Sequence, residues 1–203
     1  MYHSGTLDIR YGSMFASKTK WLDGNLTDYS NKGLVVAKIV HPDDANRTNV
    51  KSSGEFGSTH YMKHKTLSDD VIIISTNNFS NLDIDKFDVI GIDEAQFFTG
   101  LYDFVKFLVE DKQKRVLVTG LDGDSRRQKW GEILDLIPLS DSAEKLYATC
   151  EYCLQELKLI NFRGNVDMIK APFTKRLVES QEQKYVGGKN EYVPVCRYHY
   201  DLQ

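Results

Sequence analysis

The sequence predicts an α/β protein: a parallel sheet with helices packed on it, followed by a small C-terminal zinc-binding domain. Three observations carry this. Short apolar segments alternate with segments of helical spacing through most of the chain. The first of them runs into Gly12–Thr19, which follows the phosphate-loop pattern G-x-x-x-x-G-K-[ST] at every position except Ser17. All three cysteines lie near the C-terminal end, in paired spacings: Cys150 with Cys153, and Cys196 with His199.

Taken in order, residues 5–11 alternate as a first strand. Residues 18–31 place Leu22, Leu26 and Tyr29 on one helical face, with Gly24 as a weak point. Residues 34–40 form a second strand. Residues 41–66 are polar and contain Pro42, Gly54 and Gly57, so they read as a long mobile loop of the kind that carries function. Strands follow at 70–75, 87–93 and 115–119, with a helix over 100–111 between the last two, where Leu101, Phe104, Val105 and Leu108 recur at helical spacing. The alternation stops near Ala148. This predicts two domains, 1–148 and 149–203.

Composition narrows the class. With 41% hydrophobic and 27% charged residues the chain can build an ordinary core. A net charge of −3 with no basic stripe argues against nucleic-acid binding. The longest aliphatic run, Val71–Ile74, is too short to span a membrane. The N-terminus lacks a basic-then-apolar leader pattern. Three cysteines make a poor disulfide framework, so the expected compartment is the cytoplasm, where thiols stay reduced.

The chemistry rests on three constellations. In the first, backbone N–H groups of Gly12, Ser13, Met14, Phe15, Ala16, Ser17, Lys18 and Thr19 would cradle the phosphates of ATP. Lys18 would reach the β- and γ-phosphates and the Thr19 hydroxyl would sit on Mg²⁺. A glycine at position 17 would let the backbone approach without a Cβ, and a serine fits if that position is right-handed helical. The bland alternative is a strand-to-helix turn with a chance lysine. In the second, the apolar run Val89–Ile92 ends in Asp93-Glu94, a Walker B arrangement. Asp93 can hold Mg²⁺ directly or through water, and Glu94 can act as a base or position a nucleophile. Two solvated acids closing a strand would look the same. In the third, Cys150, Cys153, Cys196 and His199 supply three thiolates and an imidazole. That is a closed set for structural zinc, against the alternative of three free cysteines and a surface histidine.

These residues together resemble the thymidine kinases of the cellular and poxviral type. The likeness runs through Gly5–Thr19, Asp93–Phe98, Gly120–Gly123, Gly131–Pro138, Ala171–Arg176, Gly187-Gly188 and Tyr192 to the cysteine pairs, in the family's order. The resemblance implies a P-loop (RecA-like) sheet and a zinc domain whose lasso loop closes over the nucleoside. It implies transfer of the γ-phosphoryl of ATP, with Mg²⁺, to the 5′-hydroxyl of thymidine. Glu94 matches the general base. Asp93, Thr19 and Gln96 match the nucleotide site, and Asp44 and Arg47 match loosely a short element of the flexible loop that also includes Thr59-His60. Met14, Phe97, Leu121, Trp130, Thr174, Tyr185 and Tyr192 match positions around the base, with Ser125 standing on that wall where the family has an aromatic; taken singly, Trp130, Tyr185 and Tyr192 are more often packing residues than ligand contacts. Gln183, Lys184, Tyr185, Val186 and Gly187 match the lasso backbone that hydrogen-bonds thymine. The family also implies a homotetramer and feedback inhibition by dTTP.

The chain departs from the family at Ser17 (glycine), Ser13 (proline), Ser125 (an aromatic) and Lys129 (proline), and carries extra residues around Leu154–Lys170. Three other readings stay open: a catalytically weakened homologue that binds nucleotide, a zinc module that holds nucleic acid, and a P-loop ATPase without a nucleoside acceptor.

Overall fold

A computed structural model describes residues 4–45, 55–56, 59–60, 67–161, 164, 169–180, 182–185 and 187–202. Strand β1 (Thr6–Gly12) buries Leu7 and Ile9 completely and leads through the phosphate loop into helix α1 (Lys18–Asn31). Strand β2 (Val36–Val40) is buried along its whole length. A short helix α2 (Pro42–Ala45) and the two-residue strands β3 (Glu55–Phe56) and β4 (Thr59–His60) lie within the segment expected to be loop. The remainder of 46–66 is outside the described residues. Strands β5 (Ile72–Ser75), β6 (Val89–Ile92) and β7 (Arg115–Gly120) follow, with helix α3 (Leu101–Lys106) extended to Asp111 by a wider π-helical turn.

The strands form one sheet in the order β3-β4-β5-β2-β6-β7-β1-β8. The six from β5 to β8 (Ser142–Leu146) are parallel, and β4 joins β5 antiparallel with His60 opposite Ser75. Period-two alternation divides each strand between two cores. Ala37, Ile39, Ile90, Ile92, Val116 and Val118 pack against α3 and the 3₁₀ helix Ile133–Leu139 on one face. Val36, Val40, Val89 and Leu117 pack against Leu22 and Leu26 of α1 on the other. A Cβ at Gly91 would lie 2.7 Å from Leu26 Cδ1, so glycine there is what lets α1 sit down on the sheet.

Beyond the sheet come β9 (Ala148–Thr149), α4 (Glu151–Leu159), β10 (Lys170–Ala171), β11 (Phe173–Arg176), β12 (Tyr192–Val195) and α5 (Arg197–Asp201). The start of the extra segment Leu154–Lys170 is therefore helical. Ala148, Cys150, Ala171, Val193 and Val195 make a third small core, and Ala16 of the phosphate loop belongs to it. Since β1 connects to β2 across β7 and β6, the carboxyl ends of these strands open on one crevice, the usual ligand position in such sheets.

Candidate functional site

The phosphate loop is shaped by left-handed backbone. Phe15 and Ser17 have φ of 63° and 60°. The condition under which serine would fit at 17 without strain, a right-handed conformation, is not met; left-handed backbone crowds its Cβ. The alternation of hands points successive N–H groups inward, the concave arrangement that binds anions. Gly12, at φ 139°, packs so closely on β8 that a Cβ would lie 2.1 Å from the Leu146 carbonyl oxygen. Two bonds tie the loop to the C-terminal segment: Ser13 Oγ donates to Ala171 O at 2.7 Å, and the Met14 N–H donates to Thr174 Oγ1 at 2.9 Å. A proline at 13 could not make the first. Lys18 is buried and its Nζ donates to Ser13 O at 2.7 Å.

Across the crevice, Asp93 is fully engaged. Its Oδ1 accepts from Thr119 Oγ1 (2.7 Å), the Glu94 N–H (3.0 Å) and Thr19 Oγ1 (3.3 Å), while Oδ2 lies 3.0 Å from Lys38 Nζ. Lys38 also meets Asp23 Oδ1 of α1 at 2.6 Å, and all three side chains are 4% exposed or less. Burial pushes the Asp93 carboxyl up, but the Lys38 ammonium, the Thr119 hydroxyl and the Glu94 N–H outweigh it and hold it below its ordinary value. Burial likewise pulls Lys38 down, yet Asp93 and Asp23 together raise it. The lysine stays charged and the network carries one net negative charge.

Glu94 stands next in the chain with φ 49° and ψ 44°, a strained conformation for a residue with a side chain. Its carboxylate accepts from Gln96 Nε2 at 2.6 Å, and Gln96 Oε1 accepts the Leu121 N–H at 2.8 Å. The second bond fixes the amide's orientation, so Gln96 presents its NH₂ to Glu94.

Both sides open on one cavity of about 820 Å³. Met14 through Thr19, Glu94, Gln96, Phe97, Leu121, Ser125, Trp130, Thr174, Gln183, Tyr185 and Tyr192 line it. Trp130 meets Phe97 edge-on at 5.2 Å between centroids, giving an aromatic corner. Gly12, Ser13, Asp93, Lys184 and Gly187 are not on the lining. Lys184 pairs with Asp43 and lies over the Phe97 ring, bridging the lasso to the segment after β2. Arg47 and Val186 are outside the described residues; Asp44 is placed in α2 by its backbone.

Several lining residues were not singled out from the sequence, Asp43, Asp124, Glu151 and Lys189 among them, and Asp124 is the one built most firmly into the site. Asp124 is buried; its Oδ1 accepts the Arg126 and Gln128 N–H groups and its Oδ2 accepts Gln183 Nε2 at 3.1 Å. It builds the turn after Leu121 and anchors the lasso. An aspartate in a Gly-Asp-Ser turn was the available signal. Beside it Ser125 contributes its carbonyl to the Tyr200 hydroxyl at 2.7 Å.

The cysteine cluster fits a tetrahedral ion. The four ligand atoms of Cys150, Cys153, Cys196 and His199 lie within 4.8 Å of one another. The Cys153 and Cys196 sulfurs are 3.8 Å apart, and His199 Nδ1 is 3.3–3.5 Å from the three sulfurs. Bonds of about 2.3 Å to sulfur and 2.0–2.1 Å to nitrogen give tetrahedral edges of roughly 3.8 and 3.6 Å. His199 is buried, and its Nε2 meets Glu156 Oε1 of α4 at 3.0 Å, the outer carboxylate that orients a ligating imidazole. Burial, then the neighbouring Cys150 and Cys196, push the Cys153 thiol up to about 12, so the set takes a cation by shedding protons. Among the described residues no cysteine is in a disulfide, and no helix is long and apolar enough to cross a membrane.

A loop that runs from a parallel strand into a helix and faces a strand-end pair of carboxylates is the arrangement of P-loop phosphotransferases. A family model described as thymidine kinase matches residues 5–200. The chain belongs to the thymidine kinase family, ATP-dependent phosphotransferases. It is 34% identical to a thymidine kinase of Oryza sativa subsp. japonica over 98% of this chain and 67% of that protein. It is 36% identical to thymidine kinase a of Arabidopsis thaliana, over 97% and 75% respectively. With the thymidine kinase of Yaba monkey tumor virus the figures are 35%, 96% and 93%.

Proposed function

We propose that this chain phosphorylates the 5′-hydroxyl of thymidine with ATP, and that Glu94 takes the hydroxyl proton. The observation that carries the assignment is the position of Glu94. It lines the cavity between the phosphate loop and the Phe97–Trp130 corner, and Gln96 holds its carboxylate. Lys18 and the N–H groups at the start of α1 bind the β- and γ-phosphates. Mg²⁺ bound with ATP supplies charge neutralisation at those phosphates. Thr19, whose hydroxyl stands at the phosphate loop beside Asp93, is the residue that would hold it. Asp93, which accepts from the Thr19 hydroxyl, would help to hold the ion, directly or through water. The aromatic corner, Met14, Leu121, Tyr185 and Tyr192 enclose the base, and the lasso backbone reads its edge.

The zinc cluster is structural, with no open coordination position for chemistry. We place the domain boundary near Ala148, supported by the small core that gathers around Cys150 and Val195 and meets the phosphate loop at Ala16. A cytoplasmic compartment, a tetramer and inhibition by dTTP rest on the sequence reading and on the family resemblance. The test is phosphate transfer from ATP to thymidine by the wild-type protein and Glu94→Ala. A drop of about 10²–10⁴-fold is expected; turnover unchanged by the substitution refutes the role of Glu94.

One observation favours a second reading, a weakened homologue that binds nucleotide with poor turnover: the left-handed serine at 17. If Ser17→Gly creates activity where the wild-type protein has none, that second reading is correct.

A further inference from the structure

We propose that Arg176 is the positioning residue of the lasso, setting the shape of the loop that encloses the nucleoside; this rests on the assignment of the cavity above. Arg176 ends β11, opposite Tyr192 at the start of β12. Its Nη1 donates to the carbonyls of Ser180 (3.0 Å) and Glu182 (2.8 Å), and its Nη2 to that of Gln183 (3.2 Å). Its guanidinium carbon lies 5.5 Å from the ring centroids of both Tyr185 and Tyr192. The Tyr192 hydroxyl in turn donates to Tyr185 O at 2.7 Å.

Among the described residues, backbone hydrogen bonds close this loop only at its base, from the Leu177 N–H to Glu191 O and from the Glu191 and Tyr192 N–H groups to Gly188 O. Within the span between them Arg176 gathers three carbonyls, beside two local bonds, from the Glu182 N–H to Ser180 Oγ and from the Gly188 N–H to Glu191 Oε2. Three carbonyls are turned toward Arg176 and each spends a lone pair there, so the guanidinium biases which backbone groups the loop offers to a base. The two tyrosines flanking it both line the cavity, so the same side chain sets the loop path and the apolar wall. A planar five-donor fork does this where a lysine ammonium cannot, because one point charge does not span three carbonyls and face two rings.

The test is steady-state kinetics of wild type, Arg176→Lys and Arg176→Ala, varying thymidine and ATP separately, with amide hydrogen exchange of residues 178–190 in the nucleoside-free protein. KM for thymidine should rise roughly 10–100-fold in Arg176→Ala, the loss of several charge-assisted bonds, with Arg176→Lys recovering only part. KM for ATP, and kcat at saturating thymidine, should stay within about twofold of wild type, and exchange in the lasso should quicken. An unchanged KM for thymidine overturns the proposal, as does a parallel loss in kcat and both KM values. Should Arg176→Ala fail to fold, Arg176→Lys carries the same comparison. If the wild-type protein turns over no thymidine, the substrate assignment fails, while the exchange measurement still decides whether Arg176 orders the loop.

Discussion

Replacing Lys38 with methionine tests the buried charge network that joins the phosphate-loop helix to the sheet. In the wild-type protein one ammonium lies 2.6 Å from Asp23 and 3.0 Å from Asp93, all three groups almost fully excluded from solvent. Methionine matches the length of the stem but removes the charge, leaving two carboxylates facing each other in the core. Removing one partner of a buried ion pair costs about 3–5 kcal/mol. For a chain of this size that is roughly 6–20 °C in melting temperature. The assay is urea unfolding of Lys38→Met, Asp23→Asn and the double variant. The double variant returns the buried net charge from −2 to the wild-type −1 and should regain part of the loss. The pH dependence has a definite sign. The folded-state value of Lys38 is raised above the ordinary 10.5. Its contribution is therefore fully present below pH 10.5 and is lost as pH rises through the higher folded value. A Lys38→Met protein within about 1 kcal/mol of wild type at pH 7 would refute the reasoning.

The other predictions concern the loop, the acid limb and the metal set. Ser17→Gly should relieve the left-handed strain and raise stability by about 0.5–1 kcal/mol, read by thermal unfolding; a loss of stability contradicts the backbone assignment. The Asp93 carboxyl is held below 3.8, so its contribution is present above pH 3.8 and is lost as pH falls through the lower folded value; Asp93→Asn should flatten that limb of the stability profile. Glu156→Gln should weaken zinc binding about 10–100-fold in competition with a chromogenic chelator, and equal affinity would remove Glu156 from the outer shell of the site.

Much of this was legible in the chain because the physics was local. Helix α1 spans 18–31 as the spacing of Leu22 and Leu26 foretold, with Gly24 accommodated on its exposed side. The strands buried on both faces announced themselves as apolar runs. Strand β8 did not: Ser142–Leu146 is a partly exposed edge strand, so it keeps polar residues and loses the period that identifies a strand. Lys38 is a lone charge inside an apolar strand that the sequence pattern passes over, because its partners are distant in sequence and meet it only when α1 and β6 pack around it. The hand of the backbone at Ser17 and Glu94 depends on tertiary constraint and leaves no mark in composition. Glu156 acts on His199, which reaches it only after the C-terminal segment has folded back, and Arg176 acts on carbonyls of a loop without periodic pattern.

That return of the chain matters for how the protein is made. The phosphate loop begins at residue 12, yet Ser13 and Met14 are tied by hydrogen bonds to Ala171 and Thr174. During synthesis the sheet can gather while the ribosome is still extending the chain. The loop cannot take its final shape until residue 174 has cleared the exit tunnel. A nascent chain or truncation ending before that point would hold the whole G-x-x-x-x-x-K-T stretch and most of the sheet, but not a finished grip on triphosphate.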